Sequence, residues 1–244
     1  MPTVVLEMGL GCPGSRYDAI AGQIATWTQV VWYDRAGLGQ SDPAPTPRTI
    51  QDLILDLHTL LERAGIPGPF VLAGHSLGGT VARLYCERYP EQVAALVLID
   101  ASHEDQRERY LSCLPPRQPQ ESPALEQLRQ ALEVRWTDPA ANEERIDNFA
   151  TSELLRTCRG LGGLPLIVVS RGRPNHDPAN YPPGLIEAME CAWQQMQREL
   201  TQLSSQGRQI IATRSRHAIN EDEPEVIVEA IWRTVMLMRE QMER

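Results

Sequence analysis

A serine lies at the centre of a short glycine-bounded motif that is typical of nucleophilic catalysis. Residues 70–85 begin with an apolar run, pass through Gly74-His-Ser76-Leu-Gly78 and continue in a helical pattern. The glycines permit a sharp turn from strand to helix without side-chain clashes, so we expect the Ser76 hydroxyl to project above the sheet. An unactivated serine is a poor nucleophile, and the motif therefore requires a histidine base elsewhere in the chain.

The chain has five histidines, and their positions distinguish them. His217 follows the last predicted strand, in a loop that can bring it over the carboxyl edge of the sheet, so it is the predicted base. His75 is next to Ser76 in the turn and is expected to point away from it. The other three lie on the polar face of a helix or in loops, where side chains are more often solvated than catalytic: His58, His103 and His176.

Composition narrows the chemistry further. The 244 residues carry a formal net charge of −9, which disfavours nucleic acids and anionic membrane surfaces as partners. All 23 basic residues are arginine, which excludes Schiff-base chemistry and lysine general bases. The five cysteines form no C-x-x-C pair, which indicates free thiols rather than a disulfide framework or a zinc site. We therefore expect a small-molecule substrate, no metal and no cofactor.

The apolar stretches are short. The longest continuous one, Val93–Ile99, has seven residues, far fewer than the roughly 20 of a membrane-spanning helix. The first residues show no basic segment followed by an apolar one, so we expect no signal peptide and a cytoplasmic protein.

Six apolar runs alternate with helical patterns along the chain. Continuous rather than alternating apolarity is typical of strands that are buried on both faces of a parallel sheet. The alternation predicts an α/β fold with a mainly parallel sheet of about six strands and flanking helices. The predicted strands are 3–8, 29–33, 70–73, 94–99, 166–169 and 208–212, and the predicted helices are 17–26, 49–64, 78–89 and 223–242.

One connection, residues 102–163, is much longer than the others. It begins with a proline-rich stretch and continues in helical patterns at 124–135 and 139–159. Long insertions in compact domains are usually lids or binding elements. The predicted division is a core of residues 1–101 and 164–244 and a helical cap of residues 102–163, with Trp136 and Phe149 as substrate-lining side chains.

Several motifs, in order, resemble the α/β-hydrolase superfamily. They are Leu6-Glu-Met-Gly-Leu-Gly11, Tyr33-Asp-Arg-Ala-Gly-Leu-Gly-Gln-Ser-Asp42, Gly74-His-Ser-Leu-Gly-Gly79, and His217 followed by Glu223-Pro-Glu225. The resemblance covers residues 3–236, with 102–163 similar only as a variable cap. It implies a serine hydrolase that cleaves a small carboxylic ester or lactone through an acyl-enzyme intermediate, while amide, thioester and carbon–carbon bonds stay open. It also implies an oxyanion hole formed by the backbone N–H groups of Leu77 and Leu10.

The chain departs from that family at its first motif. Members usually have further strands before it, whereas this chain reaches it within seven residues. We therefore expect a reduced sheet in which the strand that ends at Asp34 lies on an unprotected edge. A second copy of the chain in a homodimer is one way to cover that edge, and a very short strand is another.

The second departure concerns the acid that completes a catalytic triad with Ser76 and His217. The family's common arrangement takes it from the loop after the next-to-last strand, where Asp177 lies. Asp100 instead closes the strand after the nucleophile helix, which resembles the variant arrangement of haloalkane dehalogenases and some lactone hydrolases. A strand end fixes a carboxylate better than an irregular loop, so we predict Asp100, with Asp177 as the alternative.

Two other function classes remain open. Residues 9–14 match G-x-G-x-x-G, and Asp34 ends the next strand, which is the fingerprint of a dinucleotide-binding oxidoreductase. That reading leaves Ser76 and His217 without a role. A hydrolase-like fold can also serve as a non-catalytic ligand receptor or scaffold.

Overall fold

A computed structural model describes residues 2–242 and shows one parallel sheet with helices on both faces. Six strands pair in the order β2-β1-β3-β4-β5-β6, and every pairing is parallel. The strands are β1 Thr3–Glu7, β2 Val30–Val31, β3 Phe70–His75, β4 Val93–Ile99, β5 Leu166–Arg171 and β6 Gly207–Ala212. The predicted fold class and strand number are confirmed.

Helices connect these strands. They are α1 Asp18–Ala25, α2 Ile50–Arg63, α3 Leu77–Arg88, α4 Gln106–Cys113, α5 Pro123–Gln130, α6 Asn148–Thr157, α7 Leu185–Thr201, α8 Ile219–Asp222 and α9 Pro224–Met242. Because successive strand residues point to opposite faces, β1 divides its side chains between two cores. Val4 packs with α1 and α9, and Val5 packs with α2 and α3.

The segment between β4 and β5 contains three helices and a π-helical turn, Ala131–Arg135. Its main apolar cluster joins Tyr110 and Leu128 to Trp193 of α7. The predicted helical pattern at 139–159 is wrong in its first half. The Asn142 side chain bonds both the N–H and the C=O of Ile146, and this local bonding replaces a helix with a tight loop.

The two edges of the sheet differ in length. The edge strand β2 has two residues, whereas β6 at the other edge has six. A very short edge strand offers few unpaired backbone groups to another chain. The short strand is thus one of the two expected solutions for this edge, and the homodimer stays a prediction. No helix within residues 2–242 is both long and apolar enough to cross a bilayer.

Candidate active site

Ser76 occupies a strained turn between β3 and α3. Its φ is 54° and its ψ is −118°, in a region that non-glycine residues seldom adopt. A Cβ at Gly74 would lie 2.3 Å from the carbonyl oxygen of Gly78, and a Cβ at Gly78 would lie 2.2 Å from that of Glu7. Both positions therefore require glycine, which is the physical reason that the motif predicts this turn.

His217 and Asp100 lie in contact at the carboxyl edge of the sheet. Asp100 directly follows β4, and His217 lies in the loop between β6 and α8. Nδ1 of His217 donates to Oδ2 of Asp100 across 2.6 Å. The described part of the chain shows no hydrogen bond between Ser76 and His217, although such contacts often shorten only once substrate binds.

Asp100 is completely buried and accepts three further hydrogen bonds. Its Oδ1 accepts from the backbone N–H of Arg171 at 3.0 Å and from Nε1 of Trp193 at 2.8 Å, and its Oδ2 accepts from Nη1 of Arg171 at 2.9 Å. Burial by itself would raise the pKa of Asp100, but the His217 hydrogen bond and the charge of Arg171 lower it to about 2. Asp100 is therefore ionised and can orient an imidazole.

Asp177 lies elsewhere. It is exposed, and its carboxylate caps the short turn Pro178–Asn180 by accepting from the N–H of Ala179 at 3.0 Å. Of the two predicted acids, the structure brings Asp100 to His217 and leaves Asp177 in a solvated loop.

The loop after β1 approaches Ser76 closely. A Cβ at Gly9 would lie 3.4 Å from Cβ of Ser76, so this loop and the turn are packed together. No hydrogen bond from the N–H of Leu10 is found within residues 2–242. The N–H of Leu77 belongs to the first turn of α3, where backbone donors have no partner inside the helix. Among the described residues, neither predicted oxyanion donor has a hydrogen-bond partner, and both residues line the same cavity as Ser76.

Arg35 holds the loop after β1 in place. Its guanidinium donates to the carbonyl oxygens of Met8 at 2.7 Å and Gly9 at 2.6 Å. It also pairs with two buried carboxylates, Glu7 at 3.2 Å and Glu144 at 2.7 Å. These contacts give Arg35 a structural role, since they hold the loop after β1 in place.

Glu144 reaches the same loop from the insertion between β4 and β5. Its Oε1 accepts from the backbone N–H of Gly11 at 2.8 Å and from Nη2 of Arg35 at 2.7 Å. This carboxylate occupies the glycine-rich turn where a dinucleotide-binding loop would hold a diphosphate. The carboxylate of Asp34 is likewise engaged, since it accepts from the N–H groups of Gly14 and Gln40. These contacts disfavour dinucleotide binding.

His75 supports the His217 loop. Its Nε2 donates to the carbonyl oxygen of His217 at 2.9 Å, and the two rings lie 4.8 Å apart. Burial, followed by the neighbouring His217, lowers the pKa of His75 to about 3, so it is neutral at pH 7. The expectation that His103 is solvated is wrong, because it is buried and its Nδ1 accepts from the N–H of Asp105.

A cavity of about 140 Å³ opens beside Ser76. Trp136 belongs to its lining, and its contact with substrate stays a prediction. Phe149 does not belong to the lining, so the prediction for Phe149 is corrected. Phe149 is 44% exposed on the outer side of α6. Four residues of α6 do line the cavity, and their helical spacing places them on one face of the helix: Asn148, Thr151, Ser152 and Leu155. The full lining comprises Leu10, Ser76, Leu77, Thr80, Ser102, His103, Gln106, Trp136, Asn148, Thr151, Ser152 and Leu155.

A larger cavity of about 680 Å³ lies at the opposite end of the sheet, where β5 and β6 begin. Its lining includes Leu166, Gly207 and Trp232, and none of the predicted site residues. Ligands of open α/β sheets bind at the carboxyl ends of the strands, which favours the smaller cavity as the reaction site.

Comparison with known proteins agrees with the observed fold. Residues 17–138, half of the 244, match the family model described as alpha/beta hydrolase fold. The chain belongs to the α/β-hydrolase family. The predicted resemblance is thereby confirmed, and the strained serine turn of this α/β hydrolase lies inside the matched region.

Individual relatives of this α/β hydrolase are distant. It is 25% identical over 232 residues to the uncharacterized protein YqjL of Bacillus subtilis, covering 94% of this chain and 82% of that protein. The enol-lactonase of Burkholderia xenovorans superposes with a TM-score of 0.65 at 19% identity, over 96% of this chain and 91% of the other. An esterase of Thermogutta terrifontis gives 0.61 at 20% identity, over 97% and 90%. At these low identities, the structural similarities show that the folds are alike and nothing more.

Four residues around the site were not found from the sequence: Arg171, Trp193, Glu144 and, in its supporting role, His75. Trp193 had a usable signal, because α7 carries buried side chains at helical spacing from Leu185 to Leu200. Glu144 had none, since it lies 133 residues from the loop that it binds.

Proposed function

We propose that this α/β hydrolase cleaves small carboxylic esters or lactones through an acyl-enzyme intermediate on Ser76. The observation that carries the proposal is the 2.6 Å hydrogen bond from His217 to a buried, ionised Asp100, at the sheet edge where the strained turn presents Ser76. Two solved structures with this fold are described as an esterase and an enol-lactonase, and this supports an ester-like bond as the one that is cleaved.

In the proposed acylation step, Nε2 of His217 takes the Ser76 proton while Oγ attacks the carbonyl carbon. Asp100 holds the imidazole by its Nδ1–H and stabilises the imidazolium that forms. The N–H groups of Leu77 and Leu10 receive the developing oxyanion, and one such donor lowers the barrier by about 3 kcal/mol. His217 then protonates the leaving group.

Deacylation repeats these roles with water as the nucleophile. His217 removes a proton from the water, and the same two N–H groups bind the second oxyanion. His217 then returns the proton to the Ser76 oxygen, which leaves as the alcohol while the carboxylic acid is released. Each step uses only groups of this chain, so the proposed reaction requires no cofactor and no metal.

We also propose that residues 102–163 act as a cap over Ser76. Gln106 of α4, Trp136 after the π-helical turn and Asn148 of α6 all line the cavity from that segment. A cap that closes on the substrate excludes water and restricts the size of the group that can enter.

The test is Ser76→Ala, assayed with p-nitrophenyl acetate and butyrate. We expect turnover to fall by at least about 10⁴-fold with an unchanged circular dichroism spectrum, because members of a catalytic unit act together. His217→Ala should be equally severe. Retention of more than a few per cent of turnover by Ser76→Ala would remove Ser76 as the nucleophile. Labelling of Ser76 by a fluorophosphonate without turnover of any ester would favour the receptor alternative.

A further inference from the structure

One carboxylate oxygen of Asp100 accepts hydrogen bonds from two side chains at once. Nδ1 of His217 donates to Oδ2 across 2.6 Å, and Nη1 of Arg171 donates to the same oxygen across 2.9 Å. The two nitrogens therefore lie no farther apart than these distances placed end to end, about 5.5 Å. A guanidinium charge is thus close to the imidazole that becomes positively charged in the proposed reaction.

Arg171 keeps its charge beside Asp100. Its side chain is 4% exposed, and its Nε and Nη2 donate to the two carboxylate oxygens of Glu190 at 3.1 Å and 2.8 Å. Burial by itself would lower the pKa of Arg171, but the charge of Asp100 and the hydrogen bond to Glu190 raise it above its usual value. Water screens a buried charge weakly, so Arg171 acts strongly on the groups around it.

The side chains around the His217 imidazole come from three neighbouring strands and from α7. Asp100 follows β4, and Arg171 ends β5. His75 ends β3, and burial, followed by the neighbouring His217, lowers the pKa of His75 to about 3, so it is neutral at pH 7. The uncharged Trp193 ring of α7 stands edge-on to the imidazole, with ring centroids 6.3 Å apart. Of these side chains, Asp100 and Arg171 are the charged ones.

Other charged and titratable groups act on the imidazole less directly. Glu190 of α7 pairs with Arg171, and the Tyr110 hydroxyl of α4 accepts from Nη2 of Arg171 at 3.4 Å. Burial raises the pKa of Tyr110, so this hydroxyl is neutral. The Arg171–Glu190 pair therefore decides how much of the Asp100 charge the imidazole meets. Two charged residues of the His217 loop pair with each other and reach solvent, which screens them: Arg216 and Asp222.

We infer that Arg171 is a positioning residue that extends the activity of the triad toward lower pH, by holding Oδ2 of Asp100 and offsetting part of its charge at His217. A carboxylate beside an imidazole favours the protonated form, which cannot act as a base, and a neighbouring cation disfavours it. Glu190 limits this effect, because its carboxylate offsets Arg171 in turn. The inference rests on the proposed function, and it assigns opposite electrostatic effects to Arg171 and Glu190.

The experiment follows kcat/KM for p-nitrophenyl acetate against pH, at the wavelength where nitrophenol and nitrophenolate absorb equally. The midpoint of the acidic limb reports protonation of the base in the free enzyme. Arg171→Met removes a charge about 5.5 Å from the imidazole, so we expect the midpoint to rise by about 1–2 pH units. Glu190→Gln should lower it. That effect should be smaller, about 0.5 pH unit, because the Glu190 side chain is 17% exposed and water screens it.

Two kinds of variant serve as controls. Arg171→Lys keeps a positive charge but cannot bond both carboxylates in the same fork geometry, so the midpoint should return to within about 0.5 pH unit of the wild type while kcat stays lower. Arg233 and Glu229 form an exposed ion pair on α9. Arg233→Met and Glu229→Gln change the net charge by the same amounts and should leave the midpoint unchanged.

The outcomes separate this inference from the proposed function. Ser76-dependent turnover that falls in Arg171→Met and Glu190→Gln with an unchanged midpoint would mean a purely structural role and overturn the inference, as would shifts of the same sign in both. If Arg171→Met does not fold, the sign of the Glu190→Gln shift decides. If no ester is turned over, the proposed function fails, and NMR titration of ¹⁵N-histidine-labelled protein still measures the His217 midpoint, with His217→Ala identifying its signals. Equal NMR midpoints in the wild type and both variants would then overturn the inference.

Discussion

Two buried arginine clusters flank Ser76, and they differ in what they connect. Arg171 pairs with Asp100 and Glu190, and all three residues belong to the sheet core or to α7. Arg35 pairs with Glu7 and Glu144, and Glu144 comes from the insertion. In each cluster one guanidinium lies between two carboxylates, and an arginine supplies the positive charge.

The proposed machinery has two halves, the Asp100–His217 pair and the loop that carries the Leu10 N–H, and each cluster supports one of them. The carboxylate that orients His217 is fixed by residues that the core itself supplies. The loop that carries the Leu10 N–H is fixed by a carboxylate that arrives only when residues 102–163 are docked. We therefore expect changes in the insertion to affect the oxyanion side more than the histidine side, which the insertion reaches only indirectly, through the contact of Tyr110 with Arg171 and its packing on Trp193.

The largest expected effect lies in the Asp100 cluster. Asp100→Asn keeps the shape but removes the charge that stabilises the imidazolium, and we expect kcat to fall by on the order of 10⁴-fold. Asp177→Asn is the matched control, because Asp177 only caps an exposed turn. A dead Asp177→Asn enzyme beside a nearly normal Asp100→Asn enzyme would reverse the assignment of the acid.

The Arg35 cluster should give a smaller effect of a different kind. Glu144→Gln leaves Arg35 short of one buried negative charge and loosens the hydrogen bond to Gly11. Since a whole oxyanion donor is worth about 10²–10³ in kcat, we expect a partial loss of about 10- to 100-fold with little change in KM.

Stability provides a second measurement on the same variant. Removing one partner of a buried ion pair typically costs about 3 kcal/mol, which urea unfolding would detect as a lower free energy of unfolding. The exposed Glu126, which pairs with Arg117 in the same insertion, gives the control Glu126→Gln. Equal rates and stabilities for Glu144→Gln and Glu126→Gln would show that the insertion does not hold the loop.

His75 should give the smallest effect, visible only as a function of pH. Its pKa is about 3 in the folded protein and near 6.5 in an unfolded chain, so below pH 6.5 the unfolded chain binds a proton that the folded protein does not. Folding stability contributed by neutral His75 is thus present above pH 6.5 and is lost as the pH falls toward 3. The expected slope is about 1.4 kcal/mol per pH unit.

The variant His75→Asn isolates this contribution. We expect the free energy of unfolding of wild type and variant to converge between pH 7.5 and pH 5, because the variant has no proton to gain at this position. A constant difference across that range would show that His75 is not the titrating group.

The fold was predictable because each strand of a parallel sheet leaves a continuous apolar run in the sequence. β4 and β6 were found within one residue at each end. The helix α4 was missed because Tyr110 is its only buried side chain, which gives no periodicity to detect. The helix α7 was missed although its buried side chains follow helical spacing.

The site was predictable where function imposes a local pattern and not where it depends on distant contacts. Ser76 required flanking glycines, and Asp100 was marked by its place at a strand end. Arg171 and Trp193 bind Asp100 across 71 and 93 residues of sequence, and no local rule connects them. Phe149 was misplaced because a single aromatic residue does not reveal the rotational phase of a short helix.

The contact between Glu144 and the loop after β1 has a consequence for the order in which this protein folds. Glu144 lies 133 residues from Gly11 and 109 residues from Arg35. During synthesis the first half of the chain leaves the ribosome before Glu144 exists, and contacts of such long separation form late because closing the loop costs entropy. Strands β1, β3 and β4 can pair first, and at that stage Glu7 is the carboxylate available to Arg35. The loop that carries Leu10 is therefore fixed only after residue 144 has been made, so a nascent chain that has formed strands β1 to β4 is still without a finished catalytic centre.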